Sequence, residues 1–338
     1  MRTRVRLSDL AYELDVSPST ISRALSGDPR ISHKTRSAAS ELAKRWGYIP
    51  NAFAVNLLKK KSNNIGLILP EFTNPYFSNV LLGIDKVINE NDLHLLINTH
   101  NGDYEKEIKA SRVLNSLMID GLLVAYARNT SDFQHYENII YSGVPIVFFD
   151  RLCEDIEASY VITDDFQGAQ DAMNHFIQSG CKKIAHLKGP ENLSTSFTRM
   201  MGYLEGLKRN GLGVNEDLIL SWNENPVTYK KQIIDFLNQH KVDAIFAYDD
   251  YMAYEVAQIL LETGTSIPDE VSIIGFSDDP ISQYAHPRIS TVAQNAELMG
   301  KRATEILLNK LENPDSKEIF TEMLPTKLIL RQTTKNVF

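Results

Sequence analysis

Several features are scarce or missing in this chain of 338 residues, and each absence excludes a class of protein. The two cysteines, Cys153 and Cys181, have no metal-binding spacing, so we expect buried or free thiols rather than a disulfide scaffold or a zinc site. No apolar run reaches membrane-spanning length, and the first residues lack the apolar core of a signal peptide. These absences predict a cytoplasmic protein that does not contact a membrane.

Motifs of common enzyme chemistry are also missing. The sequence has no Gly-x-x-x-x-Gly-Lys-Ser/Thr loop, no Gly-x-Ser-x-Gly elbow and no Gly-x-Gly-x-x-Gly. The best case for an enzyme rests on three acidic pairs: Asp164-Asp165, Asp249-Asp250 and Asp278-Asp279. Because no histidine lies at ligand spacing to any of these pairs, we predict no catalytic residue, no metal and no cofactor.

Charge is distributed unevenly along the chain. Residues 1–61 hold 12 of the 35 lysines and arginines but only 5 of the 43 acidic residues, a net charge of +7. The remainder carries −15. A basic head on an acidic protein is typical of a segment that meets a polyanion such as DNA.

Three short helices are predicted in this basic segment. Apolar residues recur every three or four positions over residues 7–14, which indicates one buried helix face. Ser17 has the chemistry of an N-cap, and Pro18 follows at the first helical position. Ser32 caps a third helix that Gly47 ends. Two short helices joined by a tight turn, with a third behind them, predict a helix-turn-helix domain over residues 1–49.

The second helix of such a domain lies in the major groove of DNA. Arg23 is the predicted base reader, since its guanidinium can bond both acceptors of a guanine, and Ser19 and Thr20 are weaker candidates. Other polar residues are predicted to hold phosphates: Ser17, Ser22, Ser32, Thr35 and Asn51. The alternative is a helical module that binds protein, and the basic charge argues against it.

Three runs of sequence resemble the head of the lactose/galactose-repressor family of bacterial transcription regulators: Val16-Ser17, Ser19-Thr20-Ile21-Ser22-Arg23-Ala24-Leu25 and Arg45-Trp46-Gly47-Tyr48-Ile49-Pro50-Asn51. The similarity continues to the C-terminus. It implies that residues 50–61 are the family's hinge helix, with Ala54 facing the helix of a dimer mate and Leu57 wedged between base steps in the minor groove. The alternative is a tethering linker whose Leu57 rests on the core. We predict a homodimer on a near-palindromic operator.

From Ile65 onwards, apolar strands alternate with amphipathic helices, and the rhythm restarts after residues 160–163. Continuous apolar strands predict parallel sheets that are covered on both faces, and the two rounds predict two α/β lobes. We assign residues 62–161 with 292–325 to one lobe and 162–291 with 326–338 to the other, approximately. Together they form a predicted effector-binding and dimerisation domain, 62–338, which resembles the periplasmic-binding-protein fold that the repressor family carries.

In parallel sheets, ligands bind beyond the carboxyl ends of the strands, so the residues that follow each strand predict the effector site. These are Asn74, Tyr76, Phe77, Asp150, Trp222, Asp249 and Asp278. Carboxylates and an arginine beside aromatic rings suit a hydroxylated small molecule, such as a carbohydrate. For Asp249, Asp250 and Asp165, which precede helices, a simple N-cap is the alternative.

The resemblance adds three residues to this site. Arg199 matches the family's effector-binding arginine, and Thr195 and Phe197 flank it. The chain departs from the family after Gly275-Phe276, where many members have an aspartate and this chain has Ser277. That departure leaves room for a phosphorylated or acidic effector, or for a partner protein.

Taken together, the sequence predicts a DNA-binding repressor whose operator affinity is controlled by an effector, a sugar or sugar derivative, bound between two lobes. The alternative is a cytoplasmic sugar-binding protein or an enzyme on the same fold. The presence of the basic head and the absence of enzyme motifs both favour the regulator.

Overall fold

The computed structural model describes residues 5–49, 61–153 and 155–335. The chain divides into two compact units, Met1–Ser62 and Asn63–Phe338, called here the N-terminal and C-terminal units. Three residues of the predicted DNA site, Asn51, Ala54 and Leu57, lie outside the described residues. Among the residues that are described, no helix is both long and apolar enough to cross a membrane.

The N-terminal unit contains the three predicted helices, α1 (Leu7–Glu13), α2 (Pro18–Leu25) and α3 (His33–Trp46). Capping fixes where α2 and α3 begin and where α3 ends, as the sequence predicted. The Ser17 side chain accepts a hydrogen bond from the Thr20 backbone N–H, and Ser32 accepts one from Thr35. Gly47 ends α3 with φ of 67°, a conformation that glycine adopts without steric cost.

A small apolar core holds these helices together. It contains Leu10, Ile21 and Leu42, each no more than 4% exposed. Trp46 and Tyr48 pack against it from the end of α3. Each of the three helices buries one apolar face in this core, which leaves the polar side of α2 free to face outward.

The C-terminal unit alternates strands with helices. Its strands are β1 (Asn64–Leu69), β2 (His94–Thr99), β3 (Gly121–Val124), β4 (Ile146–Phe149), β5 (Ser159–Thr163), β6 (Ile184–Leu187), β7 (Ile219–Leu220), β8 (Ala244–Ala247), β9 (Ser272–Ser277), β10 (Ser290–Ala293), β11 (Thr321–Leu324) and β12 (Lys327–Ile329). Its helices are α4 (Pro75–Glu90), α5 (Tyr104–Ser116), α6 (Gln134–Tyr141), α7 (Asp165–Gln178), α8 (Ser194–Arg209), α9 (Pro226–Gln239), α10 (Asp250–Glu262), α11 (Pro280–Tyr284) and α12 (Ala296–Glu312).

These strands form two six-stranded sheets and therefore two lobes. The order is β11-β5-β4-β3-β1-β2 in the first sheet and β12-β10-β9-β8-β6-β7 in the second. Pairing is parallel except between β10 and the last strand, β12, which is antiparallel, and the prediction of two lobes with parallel sheets is confirmed. The central strands are buried on both faces, and β3, β4 and β8 have no exposed residue.

The chain crosses between the lobes close to the predicted positions, but slightly later along the sequence. β5 belongs to the first sheet up to Thr163, and β10 belongs to the second sheet up to Ala293. Predicted boundaries at 162 and 292 therefore fall two residues early at each crossing. The two crossing segments are joined where the Gln294 side-chain amide donates to the Thr163 hydroxyl at 2.9 Å.

Close helix contacts depend on glycine in both lobes. In the first lobe, a Cβ on Gly83 of α4 would lie 1.9 Å from the carbonyl oxygen of Glu297 in α12. In the second lobe, a Cβ on Gly202 of α8 would lie 2.5 Å from the Phe166 carbonyl of α7. These contacts set the helices that carry candidate site residues, since α4 begins beside Asn74 and α8 contains Arg199.

Candidate functional site

A cavity of about 350 Å³ lies at the carboxyl ends of strands from both sheets of the C-terminal unit. The first lobe lines it with Pro70, Glu71, Asn74, Tyr76, Phe77, Asn101, Gly102, Arg128, Asp150 and Arg151. The second lobe lines it with Pro190, Leu193, Arg199, Trp222, Tyr248, Asp249, Met252, Ser277 and Asp279, and Gln294 lies at the second crossing. A concave site with apolar and aromatic walls and a few convergent polar groups has the usual character of a small-molecule site.

The start of α4 forms part of the first-lobe wall. The Asn74 side chain accepts from the Tyr76 backbone N–H at 2.9 Å, and Pro75 occupies the first helical turn. Tyr76 and Phe77 are buried, with their rings edge to face at 5.2 Å. The Tyr76 hydroxyl donates to the sulfur of Met299 at 3.0 Å, which ties this wall to α12.

Asp150 and Arg151 follow β4 in the same wall. The backbone of Asp150 has φ of 69°, which a residue other than glycine rarely adopts and which is frequent at ligand sites. Its carboxylate lies 3.4 Å from Nε of Arg151. Arg151 also donates to the Tyr126 carbonyl, and its guanidinium lies 5.9 Å from the Phe77 ring centroid. The arginine is therefore fixed by the lobe that carries it.

Arg199 lies in a buried polar network in the second lobe. It is 3% exposed, and its Nε donates to Asp165 Oδ2 at 3.0 Å. Its Nη1 donates to the Tyr248 carbonyl at 2.6 Å, and the Phe276 ring centroid lies 3.8 Å from the guanidinium. Burial raises the pKa of Asp165, and the neighbouring Arg199 opposes that rise.

Asp165 connects Arg199 to the crossing segments. The Thr163 hydroxyl donates to Asp165 Oδ1 at 2.5 Å, and Gln294 donates to Thr163. Gln294 in turn accepts from the Ser277 hydroxyl at 3.0 Å. Asp165 was considered as a simple N-cap from the sequence, but the cap of α7 is Asp164, and Asp165 is instead the buried partner of the arginine.

Asp249 combines the two roles that the sequence offered for it. Its side chain caps α10 by accepting from the Met252 backbone N–H at 2.7 Å, and the residue also lines the cavity. Burial raises the pKa of this carboxyl. Asp250, the next residue, is fully buried, and its Oδ2 accepts from the Asp279 backbone N–H at 2.8 Å.

The candidate DNA residues of the N-terminal unit cluster around α2 and the start of α3. The Ser17 hydroxyl lies 2.8 Å from those of both Ser19 and Thr20, so this trio forms one polar patch at the helix N-terminus. Arg23 is exposed in the last turn of α2, and Ser22 precedes it. Ser32 and Thr35 form a second hydroxyl pair, 2.9 Å apart, at the N-terminus of α3.

Comparisons with known proteins bear directly on both units. The profile of bacterial regulatory proteins of the lacI family matches residues 6–51, and that of the periplasmic binding protein-like domain matches residues 173–334. The transcriptional regulator DegA of Bacillus subtilis is 28% identical over 98% of both chains. The ribose operon repressor of the same species is 29% identical over 97% of this chain and 98% of its own.

A solved structure of the lac repressor dimer bound to operator superposes with a TM-score of 0.83 at 23% identity, over 98% of this chain and 99% of that one, and it establishes the fold. The chain thus combines a lacI-family head with a periplasmic-binding-protein-like domain, and its homologues are LacI-family regulators. It is a DNA-binding transcriptional regulator with a helix-turn-helix head and a two-lobed, periplasmic-binding-protein-like C-terminal unit. The relatives named above are regulators rather than enzymes.

Three residues predicted for the effector site of this regulator lie outside the cavity lining. Thr195 is buried with its hydroxyl 3.0 Å from that of Tyr248, and Phe197 is 57% exposed near the start of α8. Asp278 is turned away, because its Oδ1 accepts from Arg331 at 2.5 Å. The other predicted effector residues line the cavity: Asn74, Tyr76, Phe77, Asp150, Arg199, Trp222 and Asp249.

Asp279 occupies the cavity in place of Asp278. Ser277 and Asp278 have φ of 109° and 59°, so the backbone turns sharply after β9 and brings the second aspartate of the pair inward. Asp279 is 4% exposed, and burial together with the negative charges of Asp249 and Asp278 raises its pKa to about 7. No residue pattern near β9 signals two successive left-handed residues, so sequence reasoning chose Asp278 rather than Asp279 for the site.

Proposed function

We propose that this LacI-family regulator is a repressor whose operator affinity is controlled by an uncharged, hydroxyl-rich small molecule of the carbohydrate class bound in the cavity. The carrying observation is the pairing of the three cavity arginines. Arg128, Arg151 and Arg199 each have a carboxylate partner among the described residues: Glu224, Asp150 and Asp165. A phosphorylated or acidic effector would have to displace one of these carboxylates, so the cavity favours a neutral ligand.

The remaining lining matches the two sides of a sugar ring. The carboxylates of Glu71 and Asp249 and the amide of Asn74 are available to hydroxyl groups, which both donate and accept hydrogen bonds. Trp222 and Phe77 supply aromatic surface for the C–H side of the ring. The name of the ribose operon repressor among the relatives supports the same ligand class.

In the same proposal, the regulator binds a near-palindromic operator as a homodimer with one head per half-site, and it works in the cytoplasm. Arg23 would read a base, while the hydroxyl groups around Ser17 and Ser32 would hold phosphates. The hinge, residues 50–61, would fold in the minor groove with Ala54 at the partner helix and Leu57 as the wedge. The effector acts through its differential affinity for the two arrangements of the lobes.

Effector binding is tested by thermal unfolding of the full chain against named probes: ribose, glucose, galactose, ribose 5-phosphate, glucose 6-phosphate and adenine. We expect a free sugar to raise the melting temperature, since a ligand that binds only the native state stabilises it. Trp222→Ala should abolish the shift, whereas Tyr284→Ala removes an aromatic ring that is 79% exposed outside the cavity and should preserve it. Stabilisation by a sugar phosphate alone would refute the neutral-ligand proposal.

Operator reading is tested by selecting bound fragments from genomic DNA and measuring affinity for the selected site and for random DNA. Arg23→Ala should cost about 1–3 kcal/mol on the selected site and relax its sequence preference. Arg45→Ala, a change of an exposed arginine at the end of α3, should weaken both DNAs by a similar factor. If Arg23→Ala lowers the affinity for both DNAs equally, Arg23 does not read a base. If Leu57→Ala leaves DNA bending unchanged, Leu57 is not a minor-groove wedge.

A further inference from the structure

A side-chain bridge crosses the cavity between the two lobes. Arg128 follows β3 in the first lobe, and its Nη2 donates to Oε1 of Glu224 in the second. The same guanidinium lies 5.1 Å from the ring centroid of Trp222. Of the ion pairs between described residues of the C-terminal unit, this one alone joins the lobes.

In the first lobe, the buried carboxylate of Glu107 fixes the loop that carries Arg128. Its oxygens accept from the Ala127 backbone N–H, from the Thr130 hydroxyl at 3.0 Å and from His135 Nε2, also at 3.0 Å. These bonds fix the residue before Arg128 and the turn after it to α5 and α6. Because Glu107 is fully buried, moving this loop would leave a buried charge without its partners.

The side chain of Arg128 packs against the backbone of a glycine, Gly102. Gly102 has φ of 73°, and a Cβ on it would lie 3.3 Å from Arg128 Nε, so the arginine passes directly over this backbone. The His100 ring accepts from the Gly102 N–H at 3.0 Å, and its other nitrogen lies 2.9 Å from the Ala125 carbonyl oxygen. The loops after β2 and β3 are therefore bonded to each other, and together they hold Arg128 in a position that faces the second lobe.

The second lobe offers a receiving surface that is equally fixed. Trp222 packs against the core formed by α9, α10 and the sheet. Glu224 immediately precedes Asn225, whose side chain caps α9 by accepting from the Thr228 N–H at 3.1 Å. Arg128 is thus fixed within the first lobe, and Glu224 and Trp222 are fixed within the second. Whether they come into contact depends only on the relative position of the lobes.

We propose that Arg128, Glu224 and Trp222 form an inter-lobe latch that sets the balance between closed and open C-terminal units in the absence of any effector. Both charged side chains are partly exposed to solvent, 35% for Arg128 and 74% for Glu224. Such a pair contributes weakly, so the latch closes reversibly and does not clamp the lobes together. This role goes beyond ligand contact and does not depend on the proposed effector.

The test measures lobe separation in the full chain without effector. Spin labels are attached at Ser131→Cys in the first lobe and Lys230→Cys in the second, both exposed positions, while the native Cys153 and Cys181 are buried. Labelled chain is diluted with excess unlabelled chain, so that the measured distances join two labels on the same chain. Pulsed electron–electron double resonance then gives the distribution of these distances. The charge reversals are Arg128→Glu and Glu224→Arg, alone and together.

We expect each single reversal to lower the ratio of closed to open protein about threefold to tenfold, because attraction is replaced by repulsion of like charges. The double reversal should restore the wild-type distribution, and 1 M salt should weaken the latch by screening. The matched control is Arg209→Glu, which reverses one partner of an exposed pair within α8 and should leave the distribution unchanged.

Single reversals that behave like Arg209→Glu would overturn the latch, and so would a double reversal that fails to restore closure. Loss of fold in Arg128→Glu does not obscure the result, because Glu224→Arg changes the more exposed partner and must give the same shift. Since no ligand is added, failure here removes only the Arg128–Glu224 pair from the argument for a neutral effector and leaves the pairs of Arg151 and Arg199 standing. A failed sugar screen leaves the latch standing.

Discussion

The first lobe faces the cavity with two arginines, Arg128 and Arg151, and the rings at the start of α4, whereas the second lobe faces it with Asp249, Asp279 and a single buried arginine. Both lobes have six-stranded sheets and helix pairs that cross at a glycine. The same architecture therefore carries two different walls. In the second lobe the charges are also part of the core, so changes there affect stability as well as binding, while Arg128 in the first lobe acts at the surface.

The sharpest contrast is expected between Arg199 and Arg128. Arg199→Ala should lower the free energy of unfolding by about 3–5 kcal/mol, because it leaves the buried Asp165 carboxylate without its charge partner. Arg128→Ala removes a partly exposed pair and should cost about 1 kcal/mol or less. Urea unfolding of both variants measures the difference.

A double substitution distinguishes the loss of the ion pair from the cost of leaving one buried charge without its partner. Asp165→Asn combined with Arg199→Gln removes both charges and should be less destabilised than Arg199→Ala alone, since no charge is left buried without a partner. Equal stability of Arg199→Ala and Arg128→Ala would contradict the distinction between the walls.

The next contrast is in pH dependence and concerns Asp279. Its folded pKa of about 7 lies above the unfolded value of 3.8, so the stability it contributes is present at low pH and is lost as pH rises through 7. Relative to Asp279→Asn, the wild-type free energy of unfolding should fall by about 2–3 kcal/mol between pH 5 and pH 8. Urea unfolding across this range tests it, and a constant difference between the two proteins would show that burial does not perturb this carboxyl.

The smallest expected effect concerns a feature that both lobes share, the close crossing of two helices at a glycine. Gly83→Ala would place a Cβ 1.9 Å from the Glu297 carbonyl oxygen, so α4 and α12 must separate, at a cost of about 1–3 kcal/mol. Gly213→Ala is the matched control, because nothing lies within 4 Å of a Cβ there and the backbone has no positive φ. If Gly83→Ala and Gly213→Ala unfold at the same urea concentration, the glycine crossing is not a tight contact.

Local features of the chain were predictable because they depend on neighbouring residues. Ser17, Ser32 and Gly47 fix the ends of two helices through hydrogen bonds or backbone conformations that span only a few positions. The strands were visible as continuous apolar runs, and the end of each strand indicated where the cavity lies. Six predicted effector residues line that cavity for this reason, and a seventh, Arg199, was predicted from the family resemblance.

The positions that differ all depend on contacts between distant residues. Asp278 turns away because Arg331, 53 positions later, donates a hydrogen bond to its carboxylate, and two left-handed residues then bring Asp279 inward. Asp165 meets Arg199 because Gly202 allows α7 and α8 to pack closely. Arg128 and Glu224 are 96 positions apart along the chain, and only the packing of the two lobes brings them into contact.

The sequence by itself determined that this protein has a basic three-helix head and a two-lobed α/β unit, because charge, capping and apolar periodicity act over short distances along the chain. Only the tertiary structure decided which aspartate enters the cavity, which arginines are neutralised and which pair joins the lobes. Those outcomes follow from side-chain pairing between elements far apart in sequence, where burial makes each unpaired charge costly and therefore selects one arrangement.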